Sequence, residues 1–79
     1  MAVLRRVKVK AGHYDMVALD EVVATVVKTG THLDDYPWDW YLADGWTNYQ
    51  GRTTGTTDSL ANAVDIVQHL WVAGHIERE

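Results

Sequence analysis

Four histidines, His13, His32, His69 and His75, are the side chains here best suited to holding a metal ion, and His32 stands near Asp34 and Asp35. A helical zinc motif needs imidazoles one turn apart, whereas no pair has that spacing and His69 and His75 straddle the end of a helical segment. The spacing predicts surface or packing histidines and no metal site. Asp34, Asp35, Asp39 and Asp44 offer carboxylate oxygens within a short stretch but do not follow the pattern of a calcium loop, and turns favour the same residue type. The run Gly51-Arg52-Thr53-Thr54-Gly55-Thr56 ahead of a helix invites an anion, because free N–H groups at a helix start attract negative charge. It lacks the lysine and the glycine spacing of a phosphate-binding loop and reads as an ordinary loop. The chain has no cysteine, and its one serine, Ser59, falls in the first turn of the helix, where capping or solvent contact explains it. A chain this short encloses only shallow pockets, so no catalytic residue and no cofactor is expected, and an enzyme is not predicted.

Two groups of residues remain as carriers of binding chemistry. Tyr36, Tyr41, Trp46 and Tyr49 are surplus to a small core, and exposed Trp and Tyr bury much area with few rotamers, which suits a protein interface. Arg5, Arg6, Lys8 and Lys10 are four of the seven basic residues, and with Arg52 they could meet phosphates. The opposing reading of the basic run is an edge strand that uses charge to discourage unwanted pairing.

The elements that must position these groups start with the stretch from Thr57 to Val72. Leu60, Val64, Val67 and Trp71 recur with helical period, beside Ala63, Ile66 and Leu70, while Asn62, Asp65, Gln68 and His69 fall on the other side. Thr57 or Asp58 can cap its start and Gly74 its end, giving a rod about 25 Å long that needs an apolar surface beneath it. In Trp38-Asp39-Trp40-Tyr41-Leu42-Ala43, strict alternation puts Trp38, Trp40 and Leu42 on one face of a strand, facing that rod. Asp44-Gly45 signals a turn, and Trp46 to Gln50 returns briefly as a fourth strand.

Ala2 to Lys10 reads as a strand with Val3, Arg5, Val7 and Val9 as the side for burial, leaving Arg6, Lys8 and Lys10 in a row towards solvent. Residues 14–29 are open to two readings. A helix would gather Met16, Leu19, Val23, Val26 and Val27, whereas a hairpin would pair Tyr14 to Leu19 with Val22 to Thr29 around Asp20-Glu21. The stiff valines and threonines favour the hairpin, although Asp-Glu is a poor tight turn. Gly30 to Pro37 is a polar connection, and Gly74 to Glu79 is expected to fray.

The chain has 79 residues, of which 47% are apolar, enough for one domain over residues 1–79 with a core contributing only about 3–5 kcal/mol. Self-association as a homodimer or higher oligomer is one expected remedy. Eleven acidic residues against seven basic give a net charge of −4, which opposes general attraction to nucleic acid or to a membrane surface. No apolar run reaches the length of a membrane span and no leader pattern is visible, so a cytoplasmic location is expected.

Ala11-Gly12-His13-Tyr14, the valine-rich strand ending in Lys28, Trp38-Asp39-Trp40-Tyr41-Leu42, Asp44-Gly45 and the threonine-led helix with Ala63-Val64 form a layout over about residues 9 to 73. It resembles short uncharacterised proteins of actinobacterial bacteriophages, which implies a host-cytoplasm location but no assigned activity. The order of strands followed by a helix is also similar to the AP2-like DNA-binding domains of phage-type integrases, which read DNA with the sheet face opposite the helix. Applied here, that face would present Asp39 and Tyr41, with Lys28 as its base.

The expected fold is α+β, a three- or four-stranded antiparallel sheet packed by one long C-terminal α-helix. The expected function is that of a non-catalytic phage-type accessory protein acting by protein–protein contact, with itself and a host factor. Nucleic-acid binding through Arg5, Arg6, Lys8, Lys10 and Arg52 is the alternative.

Overall fold

A computed structural model describes residues 3–28, 37–48, 51 and 53–78. Its elements are β1 (Arg5–Lys10), β2 (His13–Ala18), β3 (Glu21–Lys28), β4 (Trp38–Leu42), β5 (Trp46–Asn48), β6 (Thr54–Thr57), α1 (Leu60–Val72) and β7 (Ile76–Arg78). The fold is α+β, as the sequence predicts, but the antiparallel sheet has five strands in the order β1-β2-β3-β4-β6, and β5 and β7 form a second, two-stranded sheet. The helix packs on β3, β4 and β6.

Residues 14–29 resolve as the hairpin, with Thr29 outside the described residues. Its tight turn is Leu19-Asp20, at φ 53° and 65°, one position earlier than Asp20-Glu21. Positive φ at both central residues is a type I′ turn, whose twist matches the flanking strands; aspartate tolerates that conformation but leucine is not a preferred occupant. Leu19 is fully turned to solvent, 87% exposed, so nothing in the core holds it there. Between Met16 and Val17 the register slips, because Met16 faces Ala24 while Val17 faces Val22. Val23 is the extra residue of a β-bulge, and both Val23 and Ala24 end up buried.

Directly paired residues of antiparallel strands share a face. The rows Lys8-Tyr14-Val26-Trp40-Gly55 and Arg6-Met16-Ala24-Leu42 therefore lie on the helix side, and Val7-Asp15-Thr25-Tyr41-Thr54 lies on the open side. The alternation read in β4 holds, with Trp40 and Leu42 buried and Trp38 packed against the core. The burial expected of β1 does not hold. Val3, Val7 and Val9 are 65%, 37% and 53% exposed, while Leu4, on the opposite phase, is 3% exposed. The cause is register with β2, which turns the valines towards the helix-free side and leaves Leu4 at the core margin. There the Leu4 carbonyl accepts a 2.5 Å bond from Gln68 Nε2 of the helix.

Thr54 to Thr56, expected in a loop, belong to strand β6. The strand is seated by Trp40, because a Cβ on Gly55 would stand 2.6 Å from the indole Nε1 and 2.8 Å from Cε2. Only glycine lets the ring come this close to that backbone. The Thr54 hydroxyl donates to the Trp40 carbonyl at 3.0 Å and locks the pair. Since Thr57 is the last residue of β6, the N-cap is Ser59, whose Oγ accepts from Asn62 N–H at 3.1 Å, in place of Thr57 or Asp58. Asp58 accepts instead from the Asn62 side chain at 2.5 Å.

Ala63 and Val67 are the buried helix residues, with Leu60, Val64, Leu70 and Trp71 partly buried beside them. Ile66, grouped with them by period, is 37% exposed because it lies beyond the edge of the stripe the sheet covers. At the C-terminus Gly74 has φ 77°, His75 N–H reaches Leu70 O at 2.8 Å and Gly74 N–H reaches Trp71 O at 3.1 Å. These are the two bonds of a Schellman motif, and they reverse the chain so that it can return. The segment expected to fray instead forms β7, pairing Ile76, Glu77 and Arg78 with Asn48, Thr47 and Trp46. One apolar side chain, the buried Ile76, fastens it to the core.

Two stability outcomes follow. Replacing Leu19-Asp20 with Asn-Gly supplies residues suited to positive φ and is expected to raise unfolding free energy by about 0.5–1 kcal/mol, read by urea titration. Gly55→Ala is expected to cost about 1–3 kcal/mol by pushing on the Trp40 ring, with the urea m-value unchanged.

Candidate functional site

The helix crosses the sheet on a diagonal. Its start follows Thr57, which pairs with Trp38, whereas Gln68 near its other end bonds Leu4 before β1. Among the described residues, that diagonal leaves one corner of the helix-side face uncovered by the helix, where β1 and β2 adjoin the last residue of β3 and the first of β4.

A cleft of about 460 Å³ lies in this corner, lined by Lys8, Ala11, Gly12, Tyr14, Lys28, Trp38 and Leu60. The tight loop between β1 and β2 shapes one rim, since Gly12 at φ 75° presents its carbonyl to Lys28 N–H at 2.7 Å. Tyr14 and Trp38 form an aromatic pair, with ring centroids 6.3 Å apart and planes inclined at 46°. The Arg6 guanidinium carbon stands 5.6 Å from the Tyr14 ring centroid, within reach of the negative ring face. Lys8 reaches the cleft from β1 and Lys28 from β3. Among the described residues the lining holds two lysines and no carboxylate. Chemically this arrangement can stack a flat group and neutralise an anion beside it.

The open side differs in character. Asp15 Oδ1 stands 3.4 Å from His13 Nε2 and accepts from the Thr25 hydroxyl at 3.3 Å. Around this polar centre lie the exposed Val7, Val9, Val22 and Tyr41, the last 41% exposed. Among the described residues the helix packs on the other face, and this side is a mixed apolar and polar surface carried by five strands.

The residues singled out from sequence distribute across both faces. All of β1 is exposed, but its register places Arg6 and Lys8 on the helix side and Arg5 opposite Val17 on the open side. A register irregularity between Lys8 and Lys10 brings Lys10 opposite His13. His13 belongs to the open side with Asp15, so Arg6, Lys8 and Lys10 do not make one row as expected. Tyr41 lies on the open side. Trp46 does not stand free, because it packs edge-on against Trp71 with centroids 5.6 Å apart and lies under the Arg78 guanidinium at 4.5 Å. Arg78 is in turn paired with Glu21, tying β7 to the β2–β3 hairpin. Tyr36, Tyr49 and Arg52 lie outside the described residues, as do His32, Asp34 and Asp35.

Sequence reasoning does not bring Tyr14, Lys28 and Trp38 together. Lys28, expected on the face opposite the helix, pairs with Trp38 and so sits on the helix side. The missing signal is the cross-strand register of β2 with β3, shifted by the bulge at Val23, and of β3 with β4. Among the described residues, no three His, Cys, Asp or Glu gather as a metal site. No helix there is long and apolar enough to cross a membrane.

The class defined by this geometry is an α+β fold in which a five-stranded antiparallel sheet carries one diagonal helix. Comparison with known proteins found no matching family model, no matching curated protein and no matching solved structure.

The packing of Trp46 has a measurable consequence. Trp46→Ala is expected to cost about 3 kcal/mol in urea unfolding, as a structural aromatic does, while Arg78→Ala costs under about 1 kcal/mol.

Proposed function

We propose that this chain is a small non-catalytic accessory protein that works by protein–protein contact, with a second copy of itself and with a host factor. The observation that carries the reading is the helix-free side of the sheet, where Tyr41, Val7, Val9 and Val22 are exposed around the Asp15–Thr25 pair. An antiparallel sheet tolerates water on one face, but apolar side chains spread across several strands suit a partner better. Five strands at about 4.8 Å spacing offer a footprint roughly 20 Å wide, the scale of weak or transient interfaces. Self-contact through this side therefore has a modest affinity. The phage-type part of the reading is supported by the residue layout from Ala11 to Val64 alone.

A second reading, nucleic-acid binding, is favoured by a separate observation. Arg6, Lys8 and Lys28 converge on the aromatic corner of the helix side, away from the open-side Asp15 and Asp39. This arrangement departs from the AP2-like layout, in which the face opposite the helix meets DNA.

Light scattering over rising protein concentration tests the first reading. The mass is expected to climb from monomer towards dimer, and Val7→Lys with Tyr41→Lys is expected to hold the chain monomeric at an unchanged melting temperature. A chain that remains monomeric throughout, with the double variant retaining every captured host protein, would remove the open side from consideration.

A further inference from the structure

We propose that the corner cleft is a binding site for one unpaired nucleotide of a single-stranded nucleic acid, its base on Tyr14 and Trp38 and its flanking phosphates at Lys8 and Lys28. The inference rests on the second reading above and specifies its form.

Three features select this ligand. First, the aromatic pair lies at the surface of an open cleft of about 460 Å³, within the range of sites that accept small organic groups. Both rings are half-buried, so they are held by the fold and still present area. Base stacking on such rings is sequence-tolerant because every base has a π-face. Second, the cations alternate with the rings across the sheet, Lys8 on β1, Tyr14 on β2, Lys28 on β3 and Trp38 on β4. Lys8 is in register with Tyr14, and Lys28 with Trp38, with β2 between β1 and β3. A strand whose base rests on Tyr14 thus carries phosphate towards Lys8 on one side and Lys28 on the other, with Trp38 beyond Lys28. Arg6, over Tyr14, extends the positive track beyond the cleft along β1.

Third, the other anionic partners use only part of the site. An acidic peptide satisfies the lysines but brings no flat group to the half-buried rings. A duplex satisfies the lysines too, yet its bases are stacked inside the helix and cannot enter a cleft of this kind. A free mononucleotide fits the cleft but leaves the Arg6 extension unused.

The test uses the full chain and a labelled oligothymidylate of about eight nucleotides, within the usual site size for single-strand binders, read by fluorescence anisotropy. The matching blunt duplex is titrated beside it, from about 50 mM to about 200 mM salt. The single strand is expected to bind at least about tenfold more tightly than the duplex. Lys8→Glu with Lys28→Glu, both at exposed positions, is expected to weaken binding by about tenfold or more. The same pair should lower the log–log salt slope by about 0.7 for each phosphate that is no longer neutralised. Tyr14→Leu keeps apolar bulk and is expected to weaken binding about tenfold with the slope unchanged, circular dichroism confirming the fold.

Equal binding of strand and duplex, insensitive to Tyr14→Leu, overturns the cleft while leaving the nucleic-acid reading standing. Failure of both nucleic acids to bind at low salt overturns the two together. Displacement by polyglutamate as effective as by unlabelled strand assigns the corner to an acidic protein and overturns the proposal. Displacement by micromolar thymidine monophosphate does the same in favour of a free nucleotide.

Discussion

The close contact between the Trp40 indole and the Gly55 backbone governs where everything downstream is placed. Trp40 is 1% exposed, the largest fully buried side chain among the described residues, and it can occupy its position only because its neighbour on β6 has no Cβ. That seat holds β6 alongside β4, and β6 runs within two residues into the helix cap at Ser59. The start of α1 is thereby fixed next to Trp38, and its path over the sheet follows from the need to bury Ala63 and Val67. Burial at the far end ties it to Leu4. The uncovered corner is a by-product of this diagonal, so the geometry that stabilises the core also exposes Tyr14 and Trp38.

Sequence periodicity is informative where one face of an element is buried along its whole length. Trp38, Trp40 and Leu42 are legible for that reason, and so are Ala63, Val67 and the Gly74 terminator. The hairpin is legible through its valines, but its turn is displaced by one residue because Leu19, at its first central position, carries none of the usual marks of positive φ. Strand β6 is hidden by its Thr-Gly composition, which resembles a loop when the indole that selects Gly55 is not in view. Strand β7 is hidden because one isoleucine among charged residues shows no period. In β1 the valines suggest a buried side, yet an edge strand beyond the helix has no such side over most of its length.

Binding chemistry is less legible than the fold, and the reason lies in pairing. Arg6 and Lys8 stand out as charges, whereas their aromatic neighbours come from β2 and β4 and become neighbours only through register. The net charge of −4 points away from polyanions, but it averages over two faces of unlike composition. At physiological salt, charge beyond about 8 Å is largely screened, so a ligand in the corner responds to the charges near it, Lys8 and Lys28 of the lining included, more than to the net charge. Bulk acidity and a locally positive cleft are compatible on that length scale.

The small β5–β7 sheet acts as a clasp, because its two strands lie on either side of β6 and α1 in the chain. Joining residues 46–48 to residues 76–78 closes a loop of some thirty residues around them, at an entropic cost that grows only slowly with loop length. Once that clasp is shut, the helix cannot peel from the sheet without also parting Trp46 from Trp71 and Arg78 from Glu21. Local opening of the helix end is thus tied to disruption elsewhere, so the molecule trades independent fraying for all-or-none cooperativity.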